Sequence, residues 1–383
     1  MKKSIRRIAA AVMAVVVVLC FASCGSTGNG TSDVGYTSKN TEFLIGGTGP
    51  LTGDASSYGM SVKEGADLAI KQINEAGGLN GINFKFDIKD DKATAADAAT
   101  GYDTLFEAGM QASIGSVTSG SCDSFASKAA EDGVFAITPS ASAANVIADR
   151  PTVFRVCFGD PDQGILAAEE LTSKYQSIGV IYDTSDPYSS GIYEAFKSKM
   201  DELGIEFNTQ TFDAENKKDF TTQVEALKDC DVIFLPIYYT EAGTIAKNVA
   251  AKGSNAVLFG CDGLDGIADQ IDSSVTSEIK YITPFDVNST DEVTSAFVAA
   301  YRAEYSKDPD QFAADGYDAI MTIYEAMKKA NVTDVTISAK DLADILVSTI
   351  TASDFEYKGA TGTMTWDETG ACTKEPQIVE LNK

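Results

Sequence analysis

The chain has 383 residues, with 56 acidic and 30 basic side chains, a net charge of -26 and no histidine. A strongly acidic chain without a basic run lacks the electrostatic footprint of a nucleic-acid-binding protein. The absence of histidine excludes Ser-His-Asp catalysis, Cys-His catalysis and histidine metal sites. We therefore predict no enzymatic activity, no cofactor, no metal and no nucleic-acid partner.

The N-terminal segment has the three-part pattern of a secretory signal. Four basic residues precede an apolar run at 8–19, and small residues then lead to Cys24. This run is shorter than the roughly 17 to 25 residues that a membrane-spanning helix needs. The sequence Phe21-Ala22-Ser23-Cys24 resembles the lipobox of bacterial lipoproteins. It predicts a signal peptide at 1–23 and acylation of Cys24.

Residues 24–41 are mostly small and polar, which predicts a flexible tether behind the lipid anchor. A single acyl chain binds membranes weakly, so we expect several chains on Cys24. The predicted location is extracytoplasmic, on the outer face of the bacterial cell membrane. Loss of 1–23 would leave 26 basic against 56 acidic residues, a net charge of -30.

The rest of the chain is long enough for two domains of ordinary size. Short apolar runs alternate with segments of helical period, which predicts parallel sheets covered by helices on both faces. The predicted strands are 43–47, 84–88, 112–115, 134–138, 178–182, 232–235 and 257–259, and helices are predicted at 61–76 and 95–108. Five further cysteines, an odd number without CxxC spacing, predict mainly buried free thiols: Cys122, Cys157, Cys230, Cys261 and Cys372.

Two hydroxyl-rich loops follow neighbouring predicted strands of the first half. The loop at 116–121 leads into a helix predicted to begin near Asp123, and the loop at 139–142 also opens toward a predicted helix. Such loops often only cap the helix. Their free amides and the helix dipole also suit a carboxylate. The two loops together predict an anion site.

The second half supplies a complementary acid and several aromatic residues. Tyr188 follows the strand at 178–182, Tyr238 follows the strand at 232–235, and Asp262 follows the strand at 257–259. Singly, each aromatic is typical of packing, and Asp262 is typical of a turn. Together they outline an apolar pocket with one carboxylate, which predicts a zwitterionic solute.

The chain resembles the branched-chain amino-acid-binding family of ABC-importer receptors, which have the type I periplasmic binding fold. The resemblance covers residues 43–383. It depends on short motifs whose order and spacing are specific: Gly49-Pro50-Leu51-Thr52-Gly53 with Tyr58-Gly59, the run Gly65-Ala66-Asp67-Leu68-Ala69-Ile70, Ile73-Asn74, Gly77-Gly78, Asp90-Asp91, Ile114-Gly115, Thr138-Pro139, Tyr188, Phe259-Gly260, Gly316-Tyr317-Asp318-Ala319 and Gly362.

The resemblance implies two Rossmann-like lobes joined by three hinge crossovers. The implied lobes are 42–158 with 285–355, and 159–284 with 356–383. The implied protein is a monomeric solute-binding component of an ABC importer. It would capture a branched-chain or similar apolar amino acid by hinge closure and deliver it to the permease and ATPase subunits.

The resemblance also implies residue roles. Ser119, Ser140 and Ser142 would hold the solute carboxylate and part of its ammonium group. Asp262 would pair with the ammonium group, and Tyr58, Tyr188 and Tyr238 would line the side-chain pocket. Asp262 and Ser142 depart from the Glu and Thr of the best-known Leu/Ile/Val binders, and Ala93 and Thr118 replace the cysteines of a small disulfide. These departures leave the identity of the solute open.

Two alternatives remain from the sequence. One is a sensor or receptor for another small acid or amide, built on the same two lobes. The other is an enzyme that uses Asp90-Asp91 as acid and base, but adjacent strand residues point to opposite faces, which favours solvated loop charges. The sequence assigns no role to Tyr317.

Overall fold

The computed structural model describes residues 39–381. The predicted signal peptide, Cys24 and most of the tether lie outside this range. The strands are β1 Phe43–Gly49, β2 Phe84–Asp90, β3 Ala112–Ser113, β4 Phe135–Thr138, β5 Val153–Arg155, β6 Ile178–Asp183, β7 Asn208–Phe212, β8 Val232–Leu235, β9 Val257–Gly260, β10 Ile279–Thr283, β11 Tyr357–Gly359, β12 Gly362–Met364 and β13 Gln377–Glu380. The α-helices are α1 Ser56–Glu75, α2 Ala95–Glu107, α3 Ser119–Asp132, α4 Asp160–Lys174, α5 Pro187–Leu203, α6 Thr221–Leu227, α7 Tyr239–Lys252, α8 Glu292–Tyr305, α9 Gln311–Lys329 and α10 Ala339–Ile350.

Two sheets form the centres of two lobes. The first has the strand order β2-β1-β3-β4-β5, and its paired strands are all parallel. The second has the order β13-β10-β9-β8-β6-β7, in which β13 runs antiparallel to β10 and the other pairs are parallel. The predicted α/β fold, with parallel-rich sheets in two lobes, is confirmed.

The helices pack on the sheets through apolar faces. On α1, Val62, Ala66, Ala69 and Ile73 are buried. Helix α1 packs closely on α9, and a Cβ atom at Gly65 would lie 1.8 Å from the backbone oxygen of Ala313. Only a residue without a side chain permits this approach of the two backbones.

The chain passes between the lobes three times. It leaves the first sheet after β5, returns after β10 to helices that pack on the first lobe, and rejoins the second sheet at β13. Between these last points, the hairpin β11–β12 contacts α8 and α9. The segment 356–383, which the resemblance assigns to the second lobe, therefore touches both lobes.

Trp366 fixes the third crossover against the first. Its indole Nε1 donates a hydrogen bond to the backbone oxygen of Arg155 at 2.7 Å, and its side chain is 6% exposed. Beside it, the Arg155 amide donates to the Gly370 oxygen at 3.1 Å. The first and third crossovers are therefore held together as one unit.

Several predicted element boundaries need correction. The first helix begins at Ser56 rather than at residue 61, and the helix predicted near Asp123 begins at Ser119. The second hydroxyl loop leads only to a short 3-10 turn at Ala144–Val146. Helix starts were misplaced because Ser and Gly in a first turn give no apolar periodicity.

The cysteine prediction is confirmed for the described residues. Cys122, Cys157, Cys230 and Cys261 are buried, Cys372 is half-buried, and all five are free thiols. Within residues 39–381, no helix combines the length and apolar character that crossing a membrane requires.

Candidate functional site

The first lobe provides one wall of the site from the N-terminus of α3. Ser119 is the first residue of this helix, so its hydroxyl lies beside first-turn amides that have no acceptor within the helix. Its oxygen accepts a hydrogen bond from the Ala143 amide at 3.2 Å, which leaves its own hydrogen available to a solute. Ser140 donates to the backbone oxygen of Val117 at 2.8 Å. The helix dipole makes this wall suitable for a carboxylate.

The second lobe provides the opposite wall from the turn after β9. Asp262 is 2% exposed and accepts a hydrogen bond from the Tyr188 hydroxyl at 2.7 Å. The Tyr188 oxygen in turn accepts from the Gly263 amide at 2.9 Å, and the Asp262 amide donates to Gln163 Oε1 at 3.1 Å. These contacts fix the direction of the carboxylate.

The charge state of Asp262 depends on what lies beside it. Burial raises the pKa of Asp262 above its ordinary range, and the Tyr188 hydrogen bond opposes this rise. Removal from water disfavours the charged carboxylate, whereas a nearby cation favours it. A cationic group beside Asp262 would therefore favour its charged form.

Aromatic rings close the space between the walls. Tyr58 stacks on Phe312 with ring centroids 4.1 Å apart, and Tyr188 stacks on Tyr238 at 5.0 Å. Tyr58 also meets Tyr238 edge-on at 5.7 Å. Four rings from both lobes thus form an apolar enclosure.

A cavity of about 10 Å³ lies at the centre of this enclosure, roughly the space of one water molecule. Its lining residues are Tyr58, Val117, Thr118, Ser119, Ser140, Tyr188, Tyr238, Asp262, Gly263 and Phe312. Six of the seven predicted solute-binding residues therefore come together. Ser142 does not line the cavity; it is buried beside the first crossover, where its backbone oxygen accepts from the Asp160 amide and from Arg155.

The lobes contact each other around the cavity. The Tyr58 hydroxyl donates to the Gly263 oxygen and accepts from the Tyr239 amide at 3.1 Å. On the rim, Thr240 Oγ1 donates to the backbone oxygen of Asp54 at 2.9 Å. These contacts join the first lobe to the second on the open side of the cleft.

A much wider groove lies elsewhere. A groove of about 820 Å³ runs between the crossover segments and the hairpin β11–β12. On it, Lys358 pairs with Asp291 at 2.5 Å, and Lys374 pairs with the buried Asp315 at 3.1 Å. The small cavity carries the convergent polar and aromatic groups, so we assign the candidate site there.

Sequence reasoning missed several residues of the site. Phe312 was missed, although Asp310 before it is a helix N-cap that accepts from the Ala313 amide at 2.9 Å. Asp160 and Gln163 were also missed, although Gly159-Asp160-Pro161 marks the start of α4. Helix-start signals at the crossovers would have identified both places.

The acids at Asp90-Asp91 have structural roles. Asp90 Oδ1 accepts from the Leu51 amide at 2.9 Å and orders the loop after β1. Asp91 is fully buried and accepts from Ser116 Oγ at 2.6 Å. The interpretation of both as solvated loop charges is wrong for Asp91, because hydrogen bonds replace its water.

Tyr317 lies away from the cavity. Its hydroxyl donates to Gln72 Oε1 at 2.7 Å, and its ring lies 5.0 Å from that of Phe297. It therefore fixes α9 against α1 and α8 and supports the first lobe.

Comparison with known proteins gives consistent matches over the two lobes. The model of the periplasmic binding protein family matches residues 42–383. The Leu/Ile/Val-binding protein BraC3 of Rhizobium johnstonii is 27% identical over 342 residues, which cover 88% of this chain and 90% of that protein.

Two solved structures share the fold. The leucine-binding protein LivK of Thermotoga maritima has a TM-score of 0.78 and 26% identity, covering 88% of this chain and 94% of that chain. The branched-chain amino-acid transporter protein LivJ of Streptococcus pneumoniae, solved with isoleucine, has a TM-score of 0.76 and 26% identity, covering 89% of this chain and 100% of that chain.

Proposed function

This chain belongs to the periplasmic binding protein family, and we propose on that premise that it captures an amino acid for an ABC importer. The proposal depends on one observation above all. Ser119 at the start of α3 and Asp262 in the second lobe line the same small cavity. A helix N-terminus suits the solute carboxylate, and a buried aspartate suits its ammonium group.

The four aromatic rings indicate the character of the solute side chain. They surround the cavity without a charged group other than Asp262. The cavity has room for about one water molecule, so the lobes would have to part to admit a solute. An apolar side chain would then contact these rings, so a branched-chain or similar apolar amino acid fits best. Relatives that bind leucine or isoleucine support this choice.

The interlobe contacts support capture by hinge closure. Tyr58 bonds to groups of the second lobe, so a solute would reach the cavity only when these contacts open. In the proposal the lobes are 42–158 with 285–355 and 159–284 with 356–383, and the closed receptor docks as a monomer on permease and ATPase subunits. Cys24 would anchor it outside the cell membrane. The role is binding rather than catalysis.

A thermal-shift screen tests the proposal. A solute that binds only the folded protein adds about 2.7 kcal/mol at 100 times its Kd. We expect one or more apolar amino acids to raise the unfolding temperature of the protein, and Asp262→Ala to abolish that rise. A screen in which no amino acid, amide, ureide or short carboxylate raises it would overturn the proposal.

A further inference from the structure

Lys217 lies at the mouth of the cleft and does not line the solute cavity. It belongs to the loop between β7 and α6, so it is part of the second lobe. Its Nζ atom lies 3.4 Å from Glu241 Oε1 on α7 and 3.5 Å from Asp54 Oδ2 in the loop between β1 and α1. One ammonium group therefore contacts two carboxylates, one from each lobe.

The carboxylate in the same lobe as Lys217 is the buried one. The Glu241 side chain is 10% exposed, whereas that of Asp54 is 69% exposed. Burial raises the pKa of Glu241, and the charge of Lys217 opposes this rise. Because Glu241 and Lys217 belong to one lobe, their contact does not require closure. Glu241 therefore holds the ammonium group at the cleft mouth whether the lobes are apart or together.

The loop that carries Asp54 contacts the start of α7. The Asp54 backbone oxygen accepts from Thr240 Oγ1 at 2.9 Å, and the Ser57 amide donates to the Tyr239 hydroxyl at 3.3 Å. Separation of the lobes would break both hydrogen bonds and would also remove the Asp54 carboxylate from Lys217. The ion pair between Asp54 and Lys217 therefore depends on closure.

These charges line a pocket of about 360 Å³ between the lobes. Tyr238 lines both this pocket and the solute cavity, so the ion pair lies on the outer side of a ring that encloses the site. Four acidic and two basic residues line the pocket. Like charges repel, so an excess of carboxylates from both lobes opposes closure unless a cation lies between them. Lys217 is such a cation.

We propose that Lys217 forms an interlobe ion pair with Asp54 that stabilises the closed receptor, with Glu241 holding the lysine in position. Lys217 is a positioning residue, because it raises solute affinity without contact with the solute. A group that stabilises the closed state over the open state increases the apparent affinity for a solute that binds the closed state. This inference rests on the proposed function and deepens it.

A double-mutant cycle tests the ion pair. The affinity for L-leucine is measured by titration calorimetry at about 20 mM salt, where screening is weak, for wild type, Asp54→Asn, Lys217→Gln and the double variant. Asp54→Asn keeps the backbone oxygen that Thr240 contacts, so it removes only the charge. We expect each single change to weaken leucine binding about threefold. The double variant should bind no more weakly than Lys217→Gln, because the same pair is lost only once.

Salt and two further variants separate the ion pair from a packing role. The Asp54 side chain is exposed, so salt screens it, and the difference between wild type and Asp54→Asn should disappear at about 1 M sodium chloride. A loss of packing would persist at high salt. Lys217→Arg keeps the charge and should restore most of the affinity that Lys217→Gln loses. Lys218→Gln removes an exposed charge at the next residue and should match wild type.

The outcomes distinguish this inference from the proposed function. If neither leucine nor any other amino acid binds wild type, the proposed function fails and the ion pair's role fails with it. If leucine binds but Asp54→Asn matches wild type at low salt, or the two losses add in the double variant, the ion pair has no role in closure while the receptor function stands. Asp54 lies in an exposed loop, so Asp54→Asn decides the case even if Lys217→Gln does not fold.

Discussion

The two walls of the cleft are built from different materials. The first-lobe wall consists of hydroxyls and the amides at the start of α3, all without a formal charge. The second-lobe wall consists of Asp262 with Tyr188 and Gln163 behind it, and Asp160 one turn from Gln163. Both walls are buried, so they differ in the groups that would interact with a charged solute: dipoles in the first wall and a carboxylate in the second.

This difference has an energetic consequence. Dipoles of backbone amides are spread over several groups, so loss of one side chain leaves most of the wall in place. A buried carboxylate concentrates the interaction in one residue, and its loss leaves the partner charge unpaired. The second wall should therefore be the more sensitive to substitution, a contrast that Asp262→Ala and Ser119→Ala test directly.

The largest effect is expected for Asp262→Ala. This change should weaken binding of an amino acid by about 2 to 5 kcal/mol, because the solute ammonium group would be buried without a counter-ion. Isothermal calorimetry measures it. Asp269→Ala, at an exposed position of the same segment, should leave affinity unchanged. Equal affinity in Asp262→Ala and wild type would remove Asp262 from the site.

A smaller loss is expected for Ser119→Ala. The hydroxyl would be lost, but the first-turn amides of α3 remain, so affinity should fall by about 1 to 3 kcal/mol. Ser127→Ala on the exposed face of the same helix is the matched control, since its hydroxyl donates to the Asp123 oxygen and accepts from Arg150 Nη2, and none of these residues lines the cavity. A loss as large as that of Asp262→Ala would contradict the contrast between the walls.

Tyr58→Phe tests the link between the lobes. The ring would still stack on Phe312, but Gly263 and Tyr239 would lose their partner when the cleft closes. We expect a loss of about 1 kcal/mol in affinity, measured by calorimetry. Tyr102→Phe removes a buried hydroxyl that bonds to Asp132, remote from the cleft, and should change stability alone. Unchanged affinity in Tyr58→Phe would exclude this hydroxyl from closure.

The smallest effect concerns two carboxyl groups from different lobes, Asp265 and Asp310. Burial and the carboxylate of Asp265 raise the pKa of Asp310 to about 7. An unfolded aspartate has a pKa of about 3.9, so the folded state takes up a proton between these values. The resulting stabilisation is complete below about pH 4 and is lost as the pH rises through about 7.

Asp310→Asn keeps the neutral form at every pH. Its unfolding temperature, relative to wild type, should therefore rise on the order of 2 to 4 °C between pH 4 and pH 7. Differential scanning calorimetry measures this slope. Asp308→Asn removes an exposed charge two residues away, whose partner is Arg302, and should not reproduce the rise. A flat difference between Asp310→Asn and wild type would show that the Asp265 contact does not raise the pKa.

The sequence predicted the parts of the site that follow strands. Tyr188, Tyr238 and Asp262 each follow a strand that is recognisable as an apolar run in the sequence. The carboxyl ends of parallel strands lie at one edge of a sheet, so residues that follow them come together. Together with the family resemblance, this located six of the seven cavity residues that we predicted. The seven predicted strands lie within about two residues of their observed bounds, whereas β5, β7, β10, β11, β12 and β13 were not predicted.

The residues of the site that the sequence did not predict lie outside these strand ends. Asp160 and Gln163 belong to α4, which begins as the chain changes lobe, and Phe312 lies in the first turn of α9. No pattern in one segment reveals which distant segment it meets. Ser142 was expected in the cavity but does not line it, because its backbone is bonded to Asp160 and Arg155 at the first crossover, which are remote in sequence. Burial of Asp91 was missed for the same reason, since its partner Ser116 is remote in sequence.

Trp366 gives the unlabelled protein an optical probe of lobe movement. It is the single tryptophan of the chain and joins the third crossover to the first through the Arg155 oxygen. Rotation of the lobes must change the backbone near this bond, and indole emission responds to its hydrogen bond and to water. Solute addition should therefore shift the intrinsic fluorescence of wild type, which would allow closure rates to be followed by stopped-flow mixing.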